Sequence, residues 1–227
     1  MDRSELLAEL TRRIDSVKRD HPLRVAIDGV DAAGKTTLAY ELAGRLHISG
    51  RQVIRASIDG FHNPRAVRYR RGSDSPEGYF LDSFDYNALK RLLLVPLGPV
   101  GNREYQTTIF DYRTESALPS PLRRARPDSI LVFDGIFLLR EELSGLWDYR
   151  LFVHADFDTV IRRAVLRDRG LFGTAEQVEE RYRKRYIPGQ QMYLDLCKPQ
   201  THANAVVDNN NPDRPELRIL SEPADRS

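Results

Sequence analysis

Nine consecutive residues carry the clearest chemistry in this chain: Gly29-Val30-Asp31-Ala32-Ala33-Gly34-Lys35-Thr36-Thr37. Two glycines separated by four residues let the backbone curl until its amides converge, and a lysine and a hydroxyl follow at once. Such a loop holds phosphate oxygens. The amides and the positive end of the following helix attract the anion. Lys35 would reach the β- and γ-phosphates, and the Thr36 hydroxyl would coordinate Mg²⁺. Gly29, Asp31, Ala32, Ala33, Gly34, Lys35, Thr36 and Thr37 are therefore expected at a nucleotide. The ordinary alternative is a glycine turn between a strand and a helix. Against it, Lys35 is one of only 5 lysines beside 30 arginines.

Asp134 closes the apolar run Ile130–Phe133. At the carboxyl edge of a sheet it would stand beside the phosphate loop and hold the metal with Thr36. Asp59, in Asp59-Gly60-Phe61-His62, follows another strand-like run. A carboxylate there could take the proton of an attacking hydroxyl. Both are Asp-Gly pairs, which also make ordinary turns. Arg163 and Arg167 are four apart, as are Arg181 and Arg185, with Gly170 and Gly173 between the pairs. They suit a helical hairpin that closes over the nucleotide and brings guanidinium groups to the transferred phosphoryl. Solvated helix faces paired with Asp168, Glu179 and Glu180 are the alternative. The basic run Arg65-Ala66-Val67-Arg68-Tyr69-Arg70-Arg71 reads first as a solvated loop, and second as a contact for an anionic acceptor. The histidines (21, 47, 62, 154, 202) show no metal-ligand spacing, and only His62 lies near the proposed chemistry.

These residues need a scaffold. Residues 3–19 have helical period, with Leu6, Leu7, Leu10, Ile14 and Val17 on one face. Strands are expected at 23–27, 53–58, 130–133, 151–153 and 206–207. Helices are expected at 36–47 and through 157–198. Strands alternating with helices predict a parallel five-stranded sheet with helices on both faces. Residues 60–80 and 96–127, rich in Gly, Pro, Arg and Ser, read as long functional loops or small added elements. The tail after Asn210 reads as partly loose.

Composition removes whole classes. The chain has 227 residues, 41% hydrophobic and 30% charged, which suits one buried core and excludes disorder. No run approaches the ~18 apolar residues of a membrane span. The charged first twenty residues do not read as a secretory signal. Cys197 is the single cysteine, so an internal disulfide is excluded. The expected location is the cytoplasm. A net charge of +2 and the lack of an aromatic stacking pattern argue against a nucleic-acid partner. No partner membrane is expected, and a homo-oligomer is left open.

With these segments in order, the sequence resembles the uridine kinase and phosphoribulokinase family of P-loop small-molecule kinases. The resemblance rests on Gly29–Thr37, Asp59-Gly60-Phe61-His62, Leu81-Asp82-Ser83-Phe84-Asp85, Phe110-Asp111-Tyr112, Phe133-Asp134-Gly135-Ile136-Phe137, Arg163 with Val165-Leu166-Arg167-Asp168, and Cys197-Lys198-Pro199. It implies an α/β P-loop NTPase fold with a helical, arginine-bearing lid. The whole chain, 1–227, would form one kinase domain: core about 20–160 and 200–210, acceptor-side loops about 60–127, lid about 162–190.

The activity implied is transfer of a γ-phosphoryl from ATP, with Mg²⁺, to a hydroxyl of a small molecule such as uridine or cytidine. Lys35, Asp59, Arg163 and Arg167 take the catalytic roles, Asp59 as general base. His62, Tyr79, Phe110, Tyr112, Arg181 and Arg185 join Asp59 around the acceptor. The sequence departs from the resemblance at three places. Glu115 stands where uridine kinases usually have a histidine. Glu77-Gly78-Tyr79-Phe80 stands where they carry an aspartate for the ribose diol, leaving that role absent or with Glu77. The paired lid arginines are reduced to Arg169 before Gly170.

The acceptor therefore stays open to pantothenate, nicotinamide riboside, a sugar or a sugar phosphate. A nucleotide-dependent switch or metallochaperone is the alternative of another class. The Asn-Lys-x-Asp segment of common GTP switches is missing from the chain.

Overall fold

The computed structural model describes residues 1–48 and 50–221. Helix α1 (Arg3–Ser16) starts on a reciprocal cap, in which Asp2 accepts from the Glu5 amide and Glu5 from the Asp2 amide. It ends three residues short of the predicted 19. Val17 turns extended at φ −74° and ψ 116°, and still buries its side chain.

Six strands follow in one sheet: β1 (Leu23–Gly29), β2 (Val53–Ser57), β3 (Ile130–Asp134), β4 (Tyr149–His154), β5 (Ala205–Asp208) and β6 (Glu216–Ile219). The spatial order is β6-β5-β4-β1-β3-β2. All neighbours run parallel except β6, which is antiparallel to β5. The expectation of five parallel strands is thus corrected to six, one of them antiparallel. The added strand comes from the tail read as partly loose, whose last residues, 222–227, lie outside the described residues. It was hard to see because it is four residues long. Leu217 and Ile219 face the core, while Glu216 and Arg218 face solvent.

β1 and β3 are buried along their whole length, as strands covered on both faces must be. Alternation splits their side chains between two cores. Val25, Ile27 and Val132 face α1 and α2 (Lys35–Ile48), where Leu10, Ile14, Leu38 and Leu42 pack. Ala26, Leu131 and Phe133 face the other layer, with Phe61, Phe80, Phe137, Trp147 and Tyr193.

The segments read as long loops carry small elements. They include α3 (Pro76–Asp82) and two ribbons, Glu104–Tyr105 with Arg123–Arg124 and Phe110–Asp111 with Ser116–Ala117. The predicted helical hairpin is α4 (Phe157–Phe172), α5 (Ala175–Arg181), a π-helical turn at Tyr182–Tyr186, and α6 (Ile187–Cys197). Gly173, at φ +100°, closes α4 and opens the hairpin. Among the described residues, no helix is long and apolar enough to cross a membrane.

Candidate active site

Strand register decides what meets at the carboxyl edge of the sheet. Ile27 and Ser57 both pair with Asp134, and Gly29 pairs with Val153. The phosphate loop therefore leaves β1 beside Asp134, with Asp59 just past the end of β2. Two glycines are required by the geometry. Gly29, at φ +146°, has no room for a Cβ, which would lie 2.1 Å from the Val153 carbonyl oxygen. Gly34, at φ +94°, faces the Asn209 amide, which would lie 2.5 Å from a Cβ. That amide donates to the Ala33 carbonyl at 2.6 Å and props the loop from below. Ala32 takes the left-handed conformation without being glycine, at φ +52°.

Lys35 curls back over its own loop and donates to the Val30 carbonyl at 2.6 Å. Burial pulls its amine below the ordinary lysine value, against the opposing pull of Asp31, Asp28 and Asp134. Thr36 Oγ1 donates to Asp134 Oδ2 at 2.7 Å. Thr37 is exposed on the first turn of α2.

Sequence reasoning missed Arg55. Its guanidinium bonds Asp134 Oδ1 at 2.6 Å, donates to the Val132 and Ala56 carbonyls, and lies 4.9 Å above the Tyr40 ring. It fixes the rotation of a carboxylate that is only 2% exposed. The signal in the sequence is an arginine at the middle of a strand whose neighbour ends in aspartate.

Asp59 sits in the helical turn Ile58–Phe61, open to the cleft but surrounded by protein mass. Burial pushes its carboxyl above the ordinary range, with nearby His62 opposing this and Asp31 and Asp134 adding to it. His62 Nδ1 lies 3.0 Å from the Asp59 carbonyl, and its ring sits 4.6 Å from Phe84 and 4.5 Å from Tyr112. Burial holds the imidazole below its usual value.

A cavity of about 580 Å³ joins these groups. Asp31, Lys35, Thr36, Asp59, Asp134 and Arg167 all line it. It continues into a second cavity of about 390 Å³, walled by Tyr69, Arg65, Arg68, Glu115 and Arg185. His62, Tyr79, Tyr112 and Tyr186 line both.

The predicted residues divide on this map. Of the lid arginines, Arg167 alone reaches the cavity with the phosphate loop. It is forked onto Asp168 at 2.7 and 2.9 Å and bonds the Tyr182 hydroxyl at 3.0 Å. That forked bond raises its pKa above the ordinary arginine value. Arg163 instead holds the outside of the loop through the Ala32 carbonyl at 3.3 Å and the Asn209 carbonyl at 2.7 Å. Arg181 bonds the hydroxyls of Tyr69 and Tyr186, both at 3.0 Å. Arg185 is buried, with its guanidinium on the carbonyls of Arg68, Gly72 and Ser73.

Tyr112 lines both cavities, while Phe110 lines neither. Glu77 points to solvent beside Ser75, away from the cleft. The basic run is largely neutralised. Arg70 and Arg71 pair with the buried Asp82, and Arg68 with Glu115.

Thr36 and Asp134 fit Mg²⁺. They offer adjacent hard oxygens, and among the described residues no group of three His, Cys, Asp or Glu could form a protein-only metal cage. Mg²⁺ usually takes one or two protein oxygens and fills its shell from phosphates and water.

Comparison with known proteins gives the family and the fold. The chain is 27% identical over 194 residues to a uridine kinase of Leuconostoc citreum, covering 82% of this chain and 87% of that one. It is 26% identical over 200 residues to uridine-cytidine kinase B of Dictyostelium discoideum, covering 82% and 78%. The solved structure of a possible uridine kinase from Bacillus stearothermophilus superposes with a TM-score of 0.71 at 22% identity, covering 89% of this chain and 97% of that one. This likeness shows a shared P-loop kinase fold. The sequence model of the Phosphoribulokinase / Uridine kinase family matches residues 25–211. The chain is an ATP-dependent small-molecule kinase and belongs to the Phosphoribulokinase / Uridine kinase family.

Proposed function

We propose that this kinase transfers the γ-phosphoryl of ATP to a hydroxyl of a nucleoside such as uridine or cytidine. One observation carries the reading. Lys35, Thr36 and Asp134 share a cavity with Asp59, and that cavity opens into one walled by Tyr69, Tyr79, Tyr112, Tyr186 and His62. Flat aromatic walls suit a flat base, and a carboxylate at the junction suits a hydroxyl between base and phosphate. The named relatives that phosphorylate uridine or cytidine support the same acceptor.

The roles follow from position. The loop amides and Lys35 hold the β- and γ-phosphates, and Lys35 leaves Val30 to do so. Thr36 and Asp134 hold Mg²⁺, which supplies charge neutralisation at the phosphate oxygens. Asp59 accepts the proton of the acceptor hydroxyl. Arg167, already facing the cavity, balances charge in the transition state. Leu171 and Phe172, at the end of α4, cover both cavities and exclude water. The described residues act as one kinase domain, with α4 to α6 as its lid.

ADP release from Mg-ATP tests the proposal, measured with uridine, cytidine, nicotinamide riboside, pantothenate, ribulose 5-phosphate and no acceptor. Release that depends on uridine or cytidine is expected. Release dependent only on another member of the panel replaces the nucleoside, and slow release indifferent to acceptor points to a switch.

A further inference from the structure

Asp31 lies within the phosphate loop, yet its bonds lead away from phosphate. Its amide, one of the donors such a loop would turn on an anion, is taken by Gln190 Oε1 at 2.5 Å. Its carboxylate Oδ2 accepts from the Tyr79 hydroxyl at 2.5 Å and from Gln190 Nε2 at 3.4 Å. Tyr79 belongs to α3 and Gln190 to α6, so an acceptor-side helix and the last helix of the lid together hold this side chain. Tyr79 is itself fixed against Phe137 and Tyr186, with ring centroids 5.3 and 4.7 Å away. Gln190 is 1% exposed. The carboxylate is therefore set in place before any ligand arrives, and it lines the same cavity as Asp59.

The charges facing that cavity are unequal. Asp134 is neutralised by Arg55. Asp31 and Asp59 have no salt-bridge partner among the described residues, and Asp31 Oδ1 has no bonded donor there. Lys35, Arg113 and Arg167 line the same cavity, but the free Oδ1 of Asp31 itself repels a phosphate or carboxylate oxygen set against it and binds a hydroxyl well. Glu77, the other acid considered for such a role, faces solvent.

We propose that Asp31, held by Tyr79 and Gln190, is a specificity residue of the acceptor site. It accepts a hydrogen bond from a second hydroxyl of the acceptor, beside the one that Asp59 deprotonates. The site thereby selects a neutral polyhydroxylated acceptor over a phosphorylated or carboxylated one. This rests on the kinase reading above and sharpens its substrate class.

The test compares the whole protein with Asp31→Asn. Steady-state kinetics use uridine, 2′-deoxyuridine, 3′-deoxyuridine and ribulose 5-phosphate, and equilibrium binding uses a fluorescent ATP analogue. In the wild type, one of the two deoxynucleosides should lose about 10- to 100-fold in kcat/KM relative to uridine, the worth of a hydrogen bond to a charged group. Asp31→Asn should raise KM for uridine by a similar factor. It should erase most of the ribo-to-deoxy difference and leave affinity for the ATP analogue within about threefold.

Weakened binding of the analogue by about tenfold or more, with the ribo-to-deoxy ratio unchanged, would assign Asp31 to the nucleotide and overturn the inference. So would a wild-type preference for ribulose 5-phosphate over neutral acceptors. Turnover of no nucleoside fails the nucleoside reading alone. The inference then stands or falls on analogue binding, and on whether a neutral polyol accepted in place of uridine loses the same factor in Asp31→Asn.

Discussion

The two ends of the cleft are built on different length scales. On the phosphate side, Lys35 bonds Val30 five residues back, and one contiguous loop supplies the whole curve. On the proposed acceptor side, Tyr79 reaches Asp31 of the phosphate loop across 48 positions, Arg68 reaches Glu115 across 47, and Arg185 reaches Ser73 across 112. A contiguous loop keeps its donors together in sequence, even though Arg163 and Asn209 brace it from afar. A wall made of distant pairs can be altered one pair at a time while the fold stays intact. The contrast explains how a family can share phosphate handling while its members take different acceptors.

Substitutions can break or sharpen this contrast. The largest effect is expected on the contiguous side. Lys35→Ala should lower kcat by about 10³-fold or more with every acceptor alike, because it removes charge stabilisation of the transferred group. An acceptor-dependent loss would erase the distinction between the two ends.

Asp59→Asn, at the junction, should cost about 10²–10⁴ in kcat with affinity for Mg-ATP retained. It should also change the pH profile. A base acts unprotonated, and burial pushes the Asp59 carboxyl above its ordinary value. The wild-type rate should therefore fall as pH drops through that raised value, and this acid limb should vanish in the variant.

Arg55→Met leaves the Asp134 carboxylate buried without its cation. Because the guanidinium is partly solvated, stability should fall by about 1–3 kcal/mol, less than for a fully buried pair, as read from denaturant midpoints. Glu115→Gln should change acceptor kcat/KM by about fivefold or less, with the nucleotide KM unaltered, since the pair is partly exposed. Removing the exposed Glu180–Lys184 pair should shift stability by no more than about 0.5 kcal/mol and mark the baseline.

The sequence was most informative where structure is local. The phosphate loop, the strand before it and the helix after it all follow from residues 23–48, because turn sterics and helical period act over a few positions. Asp134 was found because an apolar run must end at a sheet edge. Arg55 was not, because its role depends on which strand lies next to β2, and that is a matter of sheet order. The arginines of the hairpin show the same limit. Helical spacing groups Arg163 with Arg167 and Arg181 with Arg185. Only packing shows that Arg185 is caged by backbone carbonyls while Arg167 faces the cavity. The β6 strand was missed because four residues carry too little alternation to stand out from a turn.

The Asn209 prop beneath Ala33 and Gly34 bears on the order in which the molecule is completed. Residues 29–36 leave the ribosome well before Asn209. The nascent chain can form α1, β1 and α2 early, but the loop between β1 and α2 gains its final support only when β5 has been added and the residue after it has emerged. The loop's last brace is thus added only after residue 209 has been made. A message truncated just upstream of codon 209 would encode every side chain that lines the cleft and still yield a loop lacking this support.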